Sequence, residues 1–143
     1  MGGEKMKITT REFENKLNNE NFRYEILTEG ASGEPDCVMV TSSADNMHSI
    51  SIQFFFSDND VGIRVFSIAT VPENKREAVL NELNEITCKY RWVNFSIDKD
   101  NEVIAAIDAI IDYDSAAEVC YELMFKMYNI VDDMYPKIMK QLW

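Results

Sequence analysis

Asp98, Asp100 and Glu102 alternate along the chain as the first ligands of a helix–loop–helix calcium site do. Such a loop needs glycine at its sixth position for the sharp turn and a bidentate glutamate at its twelfth. Val103 and Ala109 stand in those places, so the run reads as a polar hairpin turn. Asp58, Asp60 and Gly62 fail in the same way, with Ala69 at the twelfth position. His48 has no HxxxH or HExxH partner, which argues against zinc, and it lies in the polar run Ser42 to Ser49. No GxSxG, GxxxxGK[ST] or GxGxxG occurs, and 5 glycines leave little material for a phosphate-cradling loop. Cys37, Cys88 and Cys120 are odd in number and form no CxxC, as expected of free thiols in a reducing cytoplasm. Cys37 and Cys88 read as small hydrophobes among apolar neighbours. Carboxylates are plentiful, but no spacing singles out an acid and a base. Asp112 and Asp114 precede the last helix, where negative charge suits the helix dipole. The expectation is a protein with no catalytic residue, no metal and no cofactor.

Charge narrows the partners. Asp and Glu total 25 against 14 Lys and Arg, for a net charge of −11. Such a surface repels nucleic acid and anionic membranes. Tyr90, Trp92 and Phe95 beside Lys89 and Arg91 faintly suggest an RNA-binding strand, but that motif's glycines are missing. No stretch of 18 apolar residues is present, and Met1 to Met6 lacks the apolar run of a signal peptide. Met6 stands where myristoylation wants Ser or Thr. A cytoplasmic location is expected. The 143 residues suit one domain, over residues 8–143, behind a flexible N-terminus of residues 1–7.

The elements follow from periodicity. Thr9 and Glu12 have capping-box spacing, with Ile8 and Phe13 placed for a hydrophobic staple, so a short helix should start near Thr9. Tyr24 to Thr28 alternates, Gly30 to Asp36 is turn-rich, and Cys37 to Ser42 is a short apolar run. Ile50, Ile52, Phe54 and Phe56 alternate with Ser51, Gln53, Phe55 and Ser57, the mark of a sheet with one buried face. Ile63 to Val71 runs back as a further strand, completing a four-strand meander. Pro72 opens a second helix through about Lys89, with Val79, Leu80, Leu83, Ile86 and Tyr90 on its apolar side. A hairpin spans Val93–Ile97 and Val103–Ile111, with Asp108 facing water or a strand edge. Ser115 and Glu118 repeat the capping-box spacing ahead of a helix over residues 116–142, which Pro136 should kink or divide. The fold class is α+β: an antiparallel sheet with helices mainly on one face, in the order α-ββββ-α-ββ-α.

The last helix is the informative one. Its polar face, Glu118, Glu122, Lys126, Asn129, Asp133, Lys137 and Lys140, is narrow. The remaining apolar arc covers about 200°, whereas packing on one sheet needs little more than about 100°. One stripe, Val119, Leu123, Met127, Ile130, Met134 and Ile138, suits the sheet. The other is Tyr121, Tyr128 and Tyr135, with Met124, Phe125 and Met139 nearby. Either the first helix covers this second stripe or a partner does, self-association to a homodimer being the commonest version. Tyrosine and methionine suit partner surfaces, since Tyr joins an apolar body to a polar tip and Met adapts its shape. Trp92, Phe55 and Trp143 are further candidates for the contact surface.

Certain runs also resemble a known family. They are Val71-Pro72-Glu73-Asn74-Lys75-Arg76-Glu77 leading into Leu83-Asn84-Glu85-Ile86, then Tyr90-Arg91-Trp92-Val93-Asn94-Phe95. The Asp98-Lys99-Asp100-Asn101-Glu102-Val103 hairpin and Asp132-Asp133-Met134-Tyr135-Pro136 follow. Together, over about residues 8 to 142, these resemble the YbjN family of small bacterial proteins. The resemblance implies the fold of type III secretion chaperones, a sensory or stress regulator, and no catalytic residues. Chaperone-like relatives imply an acidic, often dimeric, cytoplasmic protein that binds extended client segments. The expected function is therefore a non-enzymatic module that binds a protein client or regulator by strand pairing and side-chain pockets. The alternative is a small-ligand sensor with a pocket between the sheet and the last helix.

Overall fold

The computed structural model describes residues 6–31 and 33–143. The N-terminal expectation therefore falls mostly outside the described residues. Its last member, Lys7, is held by the fold: its amide donates to Asp36 Oδ2 at 2.8 Å.

Helix α1 (Ile8–Asn19) turns Phe13 and Leu17, four residues apart, into the core, where both are fully buried. The capping box does not form. Lys7 is the N-cap and gives no side-chain cap, while the Thr9 hydroxyl donates to the carbonyl of Ser57 at 3.0 Å. Thr10 donates to Asp36 at 2.7 Å. Asp36 thus serves the helix start from another element, and the staple is missing because Ile8 faces solvent. Asn21, at φ 64°, reverses the chain after α1 and brings the Phe22 amide onto the Leu17 carbonyl.

Strands β1 (Glu25–Thr28), β2 (Asp36–Ser43), β3 (Ser49–Phe56) and β4 (Asp60–Val65) form the expected meander. Strands β5 (Asn94–Ile97) and β6 (Val103–Ile110) extend it, with β6 beside β4, so the order is β1-β2-β3-β4-β6-β5 and every pair is antiparallel. Alternation decides which face is buried. Phe54 and Phe56 are fully buried with Phe13 at 4.5 and 5.6 Å, while Phe55 points to the other face. Strand β4 ends at Val65, short of the expected Val71. Ser67 at φ 55° breaks the extended run there and turns Phe66 outward, half-exposed.

A 3-10 turn after Pro72 leads into α2 (Arg76–Lys89), which buries Val79, Leu83 and Ile86 and packs beside β5. Leu80, expected on that stripe, lies exposed at its margin. Cys88 is also exposed, whereas Cys37 and Cys120 are buried. Helix α3 (Ala116–Lys140) is one uninterrupted element of 25 residues that runs through Pro136. Its start is served by Asp112, whose carboxylate accepts from the Ser115 amide at 2.9 Å, not by a Ser115–Glu118 box. The buried side is rotated from the expected stripe and takes in Cys120, Met124, Val131 and Asp132, leaving Val119 and Ile130 half-buried. Helix α3 lies over β3 and β6, with α1 and α2 against it, so all three helices share one face.

Candidate functional site

The tyrosine stripe divides between two places. Near the start of α3, Tyr121 is met by α1 and the segment after it. Its ring takes Phe22 edge-on at 5.8 Å and Phe125 at 5.0 Å, with Lys16 Nζ 4.9 Å from the centroid. Lys16 also reaches Glu118 at 3.2 Å and Glu20 at 3.6 Å. The hydrogen bond that Lys16 donates to Glu118 is the main reason that its pKa is raised. The first helix thus covers part of the stripe.

Beyond Tyr121 that cover ends and a groove of about 340 Å³ opens between α3 and the sheet. Met124, Phe125, Tyr128 and Asn129 form its helical wall; Val40, Ser42 and Ile52 form its floor; Phe22 closes one side. Met124 is buried at 3 % exposure and belongs as much to the core as to the groove, whereas Phe125 is 40 % exposed. The Tyr128 hydroxyl donates to the carbonyl of Ser43 at the end of β2. Burial first, then the nearby charges of Asp132 and Asp45, raise the Tyr128 pKa, so it acts as a neutral donor. Sequence periodicity missed Phe22, which lies outside any element. Its signal was an aromatic residue directly after a helix whose last turns face the core.

Tyr135, Met139 and Trp143 meet Asn46 and Pro136 around a second, more open hollow of about 290 Å³. Trp143 is 84 % exposed. The other candidates lie apart. Trp92, at φ 80°, is 53 % exposed and has Arg91 and Lys126 each 5.5 Å from its ring. Phe55 stands on the far face of the sheet with Phe66 edge-on at 6.2 Å.

Between the groove and the hollow sits Asp132, which sequence reasoning passed over. Its carboxylate accepts the amides of Asp45 at 3.1 Å, Asn46 at 2.9 Å and Met47 at 3.0 Å. Burial works to raise its pKa, but these three amides outweigh it and hold the group below the usual carboxylate value. The arrangement locks the β2–β3 turn onto α3 and fixes the wall that separates the two concavities. A carboxylate on the apolar arc of a helix was the available signal. Asp36 plays the same part at the other end of the sheet. It accepts from Lys7, Thr10 and the Gly30 amide, the last at 2.7 Å, and its pKa is lowered against the effect of burial.

Chemically the site offers apolar and aromatic contact with few polar groups. Among the described residues, no three His, Cys, Asp or Glu side chains converge as a metal site would need. Burial pushes the Cys120 thiol up to about 12 and raises Cys37 as well, so neither supplies a ready thiolate. Among the described residues no helix is long and apolar enough to cross a membrane.

Comparison with known proteins decides the lineage. The family model for YbjN, described as "Putative bacterial sensory transduction regulator", matches residues 17–131. The chain belongs to the YbjN family. A solved structure described as "Crystal structure of YbjN, a putative transcription regulator from E. coli" is 10 % identical and superposes with a TM-score of 0.58, covering 90 % of this chain and 92 % of that one. At that identity the likeness shows the YbjN fold. No curated protein matches this chain. The family match stops at Val131, one residue before the Asp132 anchor. The two aromatic concavities therefore straddle its boundary: the Phe22–Tyr128 groove lies inside, while Tyr135, Met139 and Trp143 lie beyond it.

Proposed function

We propose that this YbjN-family protein is a non-enzymatic regulator, cytoplasmic in location, that works by binding another protein through the groove beside α3. The observation that carries this reading is the groove itself. Its wall holds Phe125 at 40 % exposure even though the rings of Phe22 and Tyr121 stand edge-on against it. Half-exposed aromatic rings beside a formed apolar depression are the composition of partner surfaces. Three free thiols fit a reducing compartment.

The test compares two baits. Wild-type protein and Phe125→Glu are each used to capture partners from the native host after cross-linking. One recurring protein held by wild type and lost with Phe125→Glu supports the reading. Identical captures from both baits count against it. Light scattering on the same pair reads self-association, the homodimer being the version in which the recurring partner is a second copy.

One observation favours a second reading. The groove volume of about 340 Å³ falls within the range of small-molecule sites, and Ser42, Asn129 and Tyr128 supply polar atoms at its edge. In that version the protein is a small-ligand sensor. A ligand-library thermal-shift screen separates the two: a compound that raises the melting temperature of wild type but not of Phe125→Glu favours the sensor.

A further inference from the structure

The three helices leave the opposite face of the sheet open, and there the register builds a second depression. Phe55, Gly62 and Asp108 are aligned across β3, β4 and β6. Gly62 contributes no side chain, so the centre of the row is low while an aromatic ring and a carboxylate rise on either side. The resulting hollow, about 500 Å³, continues to Pro35, Asp60 and Ile110. Ile110 is 90 % exposed, an apolar side chain that the described residues leave open on a strand.

The chain itself shows what this surface accepts. The Arg64 guanidinium lies on it, donating to Asp108 Oδ1 at 2.9 Å and to the carbonyl of Ile107 at 3.2 Å. A Cβ at Gly62 would stand 3.5 Å from Arg64 Nη1 and 3.3 Å from Asp108 Oδ1, so the guanidinium and carboxylate lie directly over the low point that the glycine leaves. Asp60, paired with Ile110 two positions along the same strands, is exposed and has no cation within ion-pair distance among the described residues. An adjoining depression shares Pro35 and Phe55 and carries Glu29 and Glu34.

We infer that this open sheet face is a docking surface for a partner segment in which basic side chains alternate with aliphatic ones. The aliphatic groups would cover Phe55, Pro35 and Ile110, and lysine or arginine would meet Asp60 and the neighbouring acids. Charge chooses this occupant over a second copy: a body of net charge −11 attracts a basic segment from a distance and repels its own kind. The surface is on the opposite side of the sheet from the α3 groove, so the inference does not depend on that site.

Fluorescence anisotropy with a short labelled peptide of alternating leucine and arginine tests it, with leucine–glutamate and serine–arginine peptides as controls. The leucine–arginine peptide should bind wild type. Ile110→Ser should weaken it about tenfold, as expected for losing most of one buried aliphatic contact. Asp60→Asn should flatten the dependence on salt. Leu80→Ser, at an exposed position on α2, should leave binding unchanged. Because Ile110 and Asp60 are exposed, both variants keep the fold. Failure of the leucine–arginine peptide to bind overturns the inference, as does equal binding of either control. So does indifference to both variants, or a wild-type dimer that Ile110→Ser converts to monomer.

Discussion

Asn46 donates its side-chain amide to the carbonyl oxygen of Asp132 at 2.9 Å, and that carbonyl is the one deprived of its helical donor by Pro136, four residues on. Proline within a helix removes one backbone donor and crowds the carbonyl a turn earlier. Here the β2–β3 turn supplies the replacement, which explains how α3 continues to Lys140 with a proline inside it. The same residue's carboxylate holds three amides of that turn. Asp132 therefore bonds the turn through both its side chain and its backbone, and Pro136 makes the second half available.

Asp132→Ala should destabilise the protein by about 2–3 kcal/mol, because three amides lose a charged acceptor in a largely buried place. Asp132→Asn keeps one acceptor oxygen and should cost roughly half as much. Urea unfolding followed by circular dichroism measures both. Equal stability of wild type and Asp132→Ala would show that the turn finds water or other partners without loss.

Acid should loosen the fold through the same kind of group. Asp36, Asp112 and Asp132 all have folded pKa values lowered from 3.8. For a lowered carboxylate the folded state binds fewer protons than the unfolded one. The stabilisation is complete above the unfolded value and is lost as pH falls through the folded one. Thermal melts should therefore be flat on these groups' account from neutrality to about pH 5 and fall below about pH 4. Asp36→Asn should lower the melting temperature at neutral pH and make the acid decline shallower. A decline of the same steepness in Asp36→Asn would remove Asp36 from the explanation.

Gly30 and Gly33 make a sharp internal comparison. A Cβ at Gly30 would fall 2.2 Å from the carbonyl oxygen of Glu34 and 2.5 Å from that of Pro35, both backbone atoms that cannot swing aside as a side chain would. Gly30→Ala should cost about 2 kcal/mol or more and disturb the amide given to Asp36. At Gly33 the space is open and the difficulty is φ +85°, so Gly33→Ala should cost only about 1–2 kcal/mol. Denaturant midpoints rank the two; a reversed order would contradict the close approach at Gly30.

Much of this architecture could be read from residue spacing. Ile50, Ile52, Phe54 and Phe56 announced a strand with one buried face, and both long helices were legible from their apolar stripes. Local signals misled where a tertiary partner took over. Thr9 looked like a cap, but the carbonyl of Ser57, just past β3, claimed its hydroxyl. The strand after Gly62 looked continuous to Val71, yet Ser67 turned it at φ 55°. The width of apolar surface on α3 was visible, whereas its division into groove and hollow was not. That division depends on Phe22 and Asn46, which meet α3 only through contacts distant in sequence, and on Asp132 of α3 itself, whose carboxylate holds the distant β2–β3 turn.

The cysteines give a direct test of which surfaces are open. Cys88 is exposed on α2, and Cys37 and Cys120 are buried. Thiol reagents attack the thiolate, so a buried thiol is protected twice, by lack of access and by a raised pKa. Ellman titration of the native protein should show one fast thiol, assigned to Cys88 by its disappearance in Cys88→Ser. The other two should react only on unfolding, with Cys120, whose thiol is pushed up to about 12, the later if the fold opens in stages. Cys120 packs at the start of α3, whereas Cys37 lies on the open face of the sheet beside Gln53 at 3.6 Å. A second thiol reacting in the native state would therefore be Cys37, and protection of that thiol by the leucine–arginine peptide would report occupation of the sheet face without any label on the partner.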